Sequence, residues 1–302
     1  MDAAQRADGG DGLSRVLVTG ASGFIGSALV PRLIAAGHTP RLFVRRAPGT
    51  PPAAGVEVVQ GDLTDAASLG HAAKGMDAVI HLGAATSAGR TDPALAYRVN
   101  VGGASALVAA CRAAHCRRIV AVSTQHVHLP RPGVYGRTKR IADAIFLGSG
   151  LDVTVLRPSL VYGAGGQGVF ARIAALAAKL PVIPVVGPGQ RHLRPVWVQD
   201  FNAVILETLA RPQTVGRTYD EMLAAICKTL GKPCRPLHLP IPLCFILAWF
   251  LERALPNPPL TTENVHGALV EAPCDLSALD RDLKPSITPF AEGLRQTLGR
   301  AA

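Results

Sequence analysis

Short apolar strands alternate with helical segments along the first half of the chain. Each strand is a run of four or five mostly apolar residues, and each connecting segment repeats its apolar residues at helical spacing. This rhythm predicts a parallel sheet, because each parallel connection needs a crossover that a helix supplies. We therefore predict an α/β fold, a doubly wound parallel sheet with helices on both faces. The predicted strands are 15–19, 40–44, 56–59, 78–82, 119–122 and 153–156, and the predicted helices are 24–36, 66–74, 93–116 and 134–147.

A glycine-rich turn joins the first predicted strand to the first predicted helix. Gly20 is expected to allow a tight turn, Gly23 to let the backbone approach a pyrophosphate, and Gly26 to let the helix pack on the strand. The N–H groups of the helix N-terminus would then face the phosphates. This pattern predicts a Rossmann dinucleotide site, and a glycine-rich turn without a ligand is the alternative. The predicted cofactor-binding residues of the turn are Gly20, Ser22, Gly23, Phe24, Ile25 and Gly26.

The strand–helix rhythm ends near Pro158, and prolines become dense beyond it. We predict a flexible N-terminal tail (1–13), a Rossmann domain (14–160) and a smaller, mainly helical C-terminal substrate lobe (161–302). Residues 181–210 are expected to return partly to the Rossmann sheet. The helices predicted in the lobe are 169–180, 200–210, 221–230, 243–255 and 261–270.

A Tyr-x-x-x-Lys pair, Tyr135 and Lys139, opens the helix that follows the fifth predicted strand. A spacing of four residues places the phenol and the ammonium on one helix face. The ammonium favours the phenolate, so the tyrosine can exchange a proton near neutral pH. Ser123 and Thr124 lie at the carboxyl end of the fifth strand, where open α/β sheets bind ligands. These four residues are the predicted catalytic group.

Further short motifs follow in a fixed order. They are 61–63 (GDL), 81–85 (HLGAA), 100–103 (NVGG), 157–163 (RPSLVYG) and 195–200 (PVWVQD). With the glycine turn and the Tyr135–Lys139 pair, they resemble the short-chain dehydrogenase/reductase superfamily in its extended and atypical branches, the NAD-dependent epimerase/dehydratase family. The resemblance spans about residues 15 to 298.

The resemblance implies a role for each matching residue. Tyr135 would give or take the proton of a substrate carbonyl or hydroxyl, Lys139 would hold the nicotinamide ribose, and Ser123 would bond the reacting oxygen, with Thr124 as the second choice. The cofactor groove would be lined, in addition to the glycine turn, by Asp62, Leu63, Leu82, Gly83, Ala84, Asn100, Tyr135, Lys139 and Pro158. Asp62 would contact the adenine.

The end of the second predicted strand carries no carboxylate that could hold a ribose 2′-hydroxyl. Arg45 and Arg46 stand there instead. A guanidinium pairs with a 2′-phosphate, which a carboxylate would repel. We therefore predict NADP(H), with Arg45 the better candidate and Arg46 the next. NAD(H) stays open, and two solvated surface arginines are the alternative.

One departure from the family pattern, the 157–163 block (RPSLVYG) and the segment 256–261 narrow the resemblance. The insert between Ser123 and Tyr135 is short, with 127–129 (VHL) where relatives carry V-Y-G, and 256–261 (PNPPLT) follows the apolar segment. These features resemble the group that includes the NADPH-binding accessory subunit of respiratory complex I. Two hypotheses follow: an oxidoreductase or epimerase acting on a small carbonyl, hydroxyl or sugar-like substrate, or a non-catalytic NADPH-binding or redox-sensing subunit of a membrane complex. His126 and His128 are interpreted as solvated loop residues rather than substrate ligands.

The charge and the cysteines exclude several classes of protein. The formal net charge is +10, but the basic residues are scattered without aromatic interleaving, which argues against nucleic-acid binding. The six cysteines include no C-x-x-C pair, so we predict no metal site, and we expect Cys111 and Cys116 to be buried free thiols. Without an apolar leader at the N-terminus, we expect a cytoplasmic protein.

One apolar segment runs without a charge from 239 to 251 (LPIPLCFILAWFL). A helix that spans a bilayer needs about 20 residues, so this segment is too short. We favour a buried helix of the lobe, with peripheral membrane contact through 239–255 as the alternative. A homodimer through the helices after the fourth and fifth strands is also expected from the resemblance.

Overall fold

The computed structural model describes most of the first 207 residues and a smaller part of the rest. The described residues are 14–49, 51–86, 92–166, 168–186, 192–193, 195–207, 217–218, 235–255, 258, 260–262, 265, 288 and 290–298. Outside them lie the predicted tail 1–13, the predicted helix 221–230, most of the predicted helix 261–270, and Cys227, Cys234 and Cys274. The division into domains near residue 160 stays a prediction.

Six parallel strands form one sheet in the order β3-β2-β1-β4-β5-β6. The chain starts at the centre with β1, adds two strands on one side and then crosses to add three on the other. This topology confirms the predicted doubly wound sheet. The strands, each within one residue of its predicted bounds, are β1 Arg15–Thr19, β2 Thr39–Val44, β3 Glu57–Gln60, β4 Ala78–His81, β5 Arg118–Val122 and β6 Asp152–Leu156.

The helices that connect these strands are α1 Phe24–Ala35, α2 Ala66–Ala73, α3 Pro93–Ala113 and α4 Val134–Leu147. Successive side chains of β1 enter different cores: Leu17 packs among residues of α2, α3 and α4, whereas Val16 and Val18 pack among residues of α1. Both faces of the sheet are therefore buried, which explains why its strands are apolar without alternation.

The C-terminal part adds short strands that sequence analysis did not predict. They form three two-stranded sheets, in which β7 pairs with β10, β8 with β12, and β9 with β11. Within 181–210, β10 pairs with β7 rather than with the six-stranded sheet, while α6 packs on α1. The elements are β7 Val161–Tyr162, α5 Val169–Lys179, β8 Val182–Val186, β9 His192–Leu193, β10 Val196–Trp197, α6 Val198–Glu207, β11 Arg217–Thr218, β12 Arg235–Leu239, α7 Ile241–Ala254 and α8 Phe290–Leu298.

Helix α3 is long and apolar enough, by length and composition alone, to cross a membrane. Its buried residues Ala104, Leu107 and Cys111 belong to the core cluster on one face of the sheet. A core helix passes the same test, so this feature is weak evidence for a span. Cys111 and Cys116 are buried and free, as predicted, and so is Cys244.

Helix α7 is not the buried helix that the sequence favoured. Only Cys244 and Ala248 are buried on it, and they pack with Val265 in a small separate cluster. Five large apolar side chains are exposed instead: Leu243, Ile246, Leu247, Trp249 and Phe250. Sequence analysis could not foresee this, since an apolar stretch of this length shows no periodicity that separates a buried face from an exposed one.

Candidate active site

Each of the three glycines of the turn stands where it does for a different structural reason. Gly20 has φ +72°, and a Cβ there would lie 2.7 Å from the Gly83 nitrogen. A Cβ on Gly26 would collide with the Gly20 carbonyl oxygen and lie 2.7 Å from the Ala21 Cα. A Cβ on Gly23 would meet only the Gly20 oxygen, at 3.2 Å, and is otherwise in open space. The protein itself therefore requires Gly20 and Gly26, while Gly23 leaves room for a ligand.

The N-terminus of α1 is free to bind an anion. No side chain caps the helix, and its first turn contains no acidic residue. The first N–H groups of a helix lack intrahelical partners and carry the positive end of the helix dipole. Ser22 and Gly23 are exposed, and Phe24 and Ile25 are half-buried beside them. The predicted turn residues thus form an open backbone cradle suited to a diphosphate.

The next part of the groove is the carboxyl end of β4, beside β1. Thr19 and His81 are register partners, and the Thr19 Oγ1 lies 2.8 Å from the His81 Nδ1 and accepts a bond from the Gly83 N–H at 3.2 Å. A Cβ on Gly83 would lie 2.8 Å from the Leu63 Cδ1, so Leu63 packs on this loop. Leu82, Gly83 and Ala84 are half-buried along the groove.

His81 is a site residue whose role sequence reasoning missed. Its imidazole is buried, and burial together with the Lys139 charge lowers its pKa to about 3. The ring is therefore neutral at physiological pH and serves as a fixed dipole bonded to Thr19. The available signal was its position as the last residue of β4, directly beside the last residue of β1.

Arg45, Arg46 and Asp62 stand at the far end of the groove, beyond β2 and β3. Both arginines are exposed, and the Arg45 carbonyl accepts a bond from the Gln60 side chain at 3.1 Å. Hydrogen bonds from the Thr64 side chain and backbone, with the nearby Arg45 charge, lower the pKa of Asp62. An ionised carboxylate therefore lies near the solvent-facing Arg45 at the carboxyl end of the sheet.

Lys139 connects α4 to the end of β5. Its ammonium is buried and donates a 2.8 Å bond to the carbonyl of Val122, the residue before Ser123. Burial lowers the pKa of Lys139 to about 8, although the Asp143 carboxylate acts against this. Tyr135 is half-buried one turn earlier, with its ring edge-on to His126 at 6.2 Å between centroids. Lys139 thus joins α4 to the strand end that precedes Ser123, and Tyr135 lies one turn earlier on the same helix.

Ser123 and Thr124 differ in what their hydroxyls do. The Ser123 Oγ is buried and has no hydrogen-bond partner in the described part of the protein. Thr124 instead accepts a bond from the His126 N–H at 3.3 Å and caps the short 3₁₀ turn Gln125–His128. A buried hydroxyl without a protein partner is costly unless a ligand or a water bonds it, so Ser123 is the better candidate to bind a ligand.

Asn100 has a structural task in addition to its predicted place near the cofactor. Its amide bonds both backbone groups of Ala85, at 2.8 and 3.0 Å, and the Thr138 hydroxyl at 2.9 Å. It lies in a π-helical turn, Tyr97–Gly102, within α3. Such turns are rare and common at functional sites. Asn100 therefore holds the loop after β4 against the helix that carries Tyr135.

Two further contacts connect the end of β6 to the loop after Ser123 and to α4. The Pro158 carbonyl accepts a 3.0 Å bond from the Gln125 N–H and so connects the end of β6 to the loop after Ser123. Arg157 pairs with the buried carboxylate of Asp143 at 2.7 Å. His126 and His128 are both exposed, in agreement with their interpretation as loop residues. Sequence reasoning did not identify Asp143, whose only signal was a carboxylate four residues after Lys139.

A glycine cradle, an uncapped helix N-terminus and a Tyr–Lys–Ser group on one sheet edge define a dinucleotide-dependent enzyme fold. The model of the NAD dependent epimerase/dehydratase family matches residues 16–220, and the chain belongs to this family. It is an NAD(P)-dependent enzyme of the oxidoreductase and epimerase type, as its relatives are.

Curated relatives extend over much of the chain. It is 31% identical to the ceramide reductase of Caulobacter vibrioides over 298 residues, which covers 94% of this chain and 90% of the relative. It is 32% identical over 218 residues to the 2-alkyl-3-oxoalkanoate reductase of Stenotrophomonas maltophilia, covering 65% of this chain and 64% of the relative.

Solved structures support the fold. The UDP-glucose 4-epimerase of Thermotoga maritima, solved with UDP-glucose, has a TM-score of 0.74 at 19% identity and covers 94% of this chain and 97% of its own. The UDP-glucose 4-epimerase of Thermus thermophilus, solved with NAD, has a TM-score of 0.65 at 23% identity and covers 94% and 98%.

Proposed function

We propose that this protein reduces a ketone to a secondary alcohol, or catalyses the reverse, on an apolar, lipid-like substrate, with a nicotinamide cofactor. The unpartnered Ser123 hydroxyl carries the proposal, because it lies beside the strand end that Lys139 bonds. The substrate class is supported by curated relatives named as reductases of ceramide and of 2-alkyl-3-oxoalkanoates, one of which matches nearly the whole chain.

Each residue of the group has a distinct task. Ser123 donates a hydrogen bond to the reacting oxygen and so satisfies its own buried hydroxyl. Tyr135 donates its proton to the same oxygen as the carbonyl becomes an alcohol. Lys139, held by the Val122 carbonyl, places its charge one turn from Tyr135 and favours departure of that proton. A nicotinamide, when bound, supplies the hydride.

Replacing Ser123 by Ala tests this proposal at its central observation. Since the hydroxyl bonds nothing in the described protein, its loss should not lower the free energy of unfolding. Turnover, in contrast, should fall about ten- to hundredfold, the value of one hydrogen bond to a developing charge. Thr124→Ala is the matched control: removing the cap of the 3₁₀ turn should cost about 1 kcal/mol of stability.

The rates of NADPH and NADH oxidation are measured with long-chain 3-oxo compounds and with a ceramide whose hydroxyl has been oxidised to a ketone. Urea unfolding measures the stability of each variant. UDP-glucose serves as the comparison, because epimerisation of a sugar nucleotide is the competing activity. Turnover of UDP-glucose alone would contradict the proposed substrate class. Full turnover in Ser123→Ala would contradict the proposed role of its hydroxyl.

We further propose that the preferred cofactor is NADP(H). Both arginines after β2 are exposed and free of ion pairs among the described contacts, and neither strand end beside them offers a carboxylate in the position that binds a 2′-hydroxyl. The Arg45 charge also helps to lower the pKa of Asp62, which supports a position of Arg45 beside the expected adenine site. Some of the solved neighbours were solved with NAD, so the preference for NADP(H) is proposed for this chain from its own residues.

Arg45→Ala should raise the KM for NADPH about ten- to hundredfold while leaving the KM for NADH nearly unchanged. The physical reason is the loss of a charge-assisted bond to the 2′-phosphate, which NADH lacks. Steady-state kinetics with both cofactors would measure it. Arg140→Ala, an exposed arginine on α4, is the control. Equal changes for NADPH and NADH would show that Arg45 does not recognise the phosphate.

A further inference from the structure

The exposed side of α7 carries five large apolar side chains that the proposed reaction does not use. Leu243, Ile246, Leu247 and Phe250 follow the i, i+3, i+4, i+7 spacing, and Trp249 lies beside them. Ile246 is 64% exposed and Phe250 61%. We call these five side chains the apolar face. Contiguous apolar patches are rare on soluble surfaces and mark sites of interaction.

The two charged residues of α7 lie on different sides of the helix, one toward the protein and one toward the solvent. Its one carboxylate, Glu252, accepts bonds from the Thr262 N–H and hydroxyl, at 2.8 and 3.1 Å, and is directed toward the protein. Its one cation, Arg253, is exposed, with its guanidinium 3.8 Å from the centre of the Trp249 ring. The apolar face is therefore bordered by a positive charge, while the one carboxylate of the helix is engaged in hydrogen bonds with Thr262.

We propose that the apolar face docks on the surface of a lipid bilayer that contains anionic lipid. A helix of this length is about 21 Å long, shorter than the hydrocarbon core, so it would lie in the plane of the interface. Ile246 and Phe250 would enter the acyl boundary, while Trp249 and Arg253 take the headgroup level that suits an indole and a guanidinium.

Net charge, together with the exposed Arg253, favours a bilayer over a second copy of this chain as the partner of the apolar face. At a formal charge of +10, two copies repel one another, whereas an anionic leaflet attracts each of them. Apolar contact favours binding to either partner, but long-range electrostatic attraction favours binding only to the anionic bilayer. The proposal goes beyond the proposed reaction and does not depend on it, since docking requires no residue of the active site.

Co-sedimentation with vesicles tests the proposal on the full chain. Vesicles of equal parts phosphatidylcholine and phosphatidylglycerol should bind the protein, and raised salt or phosphatidylcholine alone should weaken binding. The tryptophan emission of the wild type should shift to shorter wavelength on binding, and Trp249→Phe should lose that shift. Absence of binding to the anionic vesicles overturns the proposal.

The variant Ile246→Ser/Phe250→Ser should bind the anionic vesicles at least about tenfold more weakly, because two apolar side chains no longer enter the interface. Both positions are exposed, so the fold should be unaffected. The matched control is Val169→Ser/Leu180→Ser, two apolar residues on and after α5 that are also exposed, by 44% and 45%. Equal binding by both double variants overturns the assignment to α7. So does a wild-type dimer in sedimentation velocity that the α7 variant dissociates.

Kinetics separate this proposal from the proposed function. The α7 double variant should keep its turnover of a water-soluble ketone, because Ser123 and Tyr135 are untouched. Vesicle binding by a protein that reduces no ketone would leave the docking surface intact and refute only the reaction.

Discussion

Replacing Tyr135 by Phe is expected to lower turnover about 10²- to 10⁴-fold, the usual contribution of a general acid. Affinity for NADPH should change by less than about threefold, since the phenyl ring keeps the edge-on contact with His126 and only the hydroxyl is lost. Steady-state kinetics with the best ketone and a fluorescence titration with NADPH measure the two quantities. The expected result is a change in kcat that is separate from cofactor binding.

Tyr97→Phe is the matched control for Tyr135→Phe. Tyr97 is exposed at the start of the π-helical turn, so removing its hydroxyl should leave kcat unchanged. Unchanged turnover in Tyr135→Phe would show that another group transfers the proton. Loss of NADPH affinity together with turnover would indicate a binding role for the phenol instead.

Gly26→Ala is expected to lower the free energy of unfolding by about 1–3 kcal/mol and to weaken NADPH binding at least about tenfold. The added methyl would press on the Gly20 carbonyl and on Ala21, which are backbone atoms that no rotamer change can move away. Relief requires α1 to shift away from the turn, and this shift disturbs the backbone cradle. Urea unfolding and an NADPH titration give the two values.

Gly70→Ala is the control for Gly26→Ala, and it should change the free energy of unfolding in the opposite direction. Gly70 lies inside α2, and no heavy atom lies within 4 Å of its added Cβ. Alanine there should stabilise the protein by about 0.5–1 kcal/mol through its better helix propensity. A Gly26→Ala protein as stable as the wild type, with normal NADPH affinity, would show that the close contact between α1 and the turn is not required.

The sequence predicted the parts of the fold that depend on local periodicity. The bounds of α4 agree with the prediction at both ends, because Val134–Leu147 is an amphipathic helix between a glycine at each end. The parallel sheet followed from strands too apolar to face water. The sequence expected 181–210 to return partly to the sheet but assigned no strand bounds there, and it missed β7, since a two-residue pair such as Val161 with Val196 depends on a partner 35 residues away.

The candidate site was predicted in identity but not in detail. Spacing and resemblance proposed Tyr135, Lys139 and Ser123 as the catalytic group, which stays a prediction. The sequence did not separate Ser123 from Thr124, because the two residues are adjacent and chemically alike. In the structure the Ser123 hydroxyl is buried without a described partner, whereas the Thr124 hydroxyl caps a turn. The neutral state of His81 depends on burial and on the Lys139 charge, both supplied by distant segments.

By itself, the order of residues determined the alternating strands and helices, the glycine turn and the family, because each depends on spacing along a few neighbouring residues. Only the tertiary structure decided which polar groups are left without partners and which apolar groups face water. Ser123 and the apolar face of α7 show both cases. Whether a polar group finds a hydrogen-bond partner, and whether an apolar side chain is exposed to water, depends on the atoms packed around it. Those atoms come from remote parts of the chain.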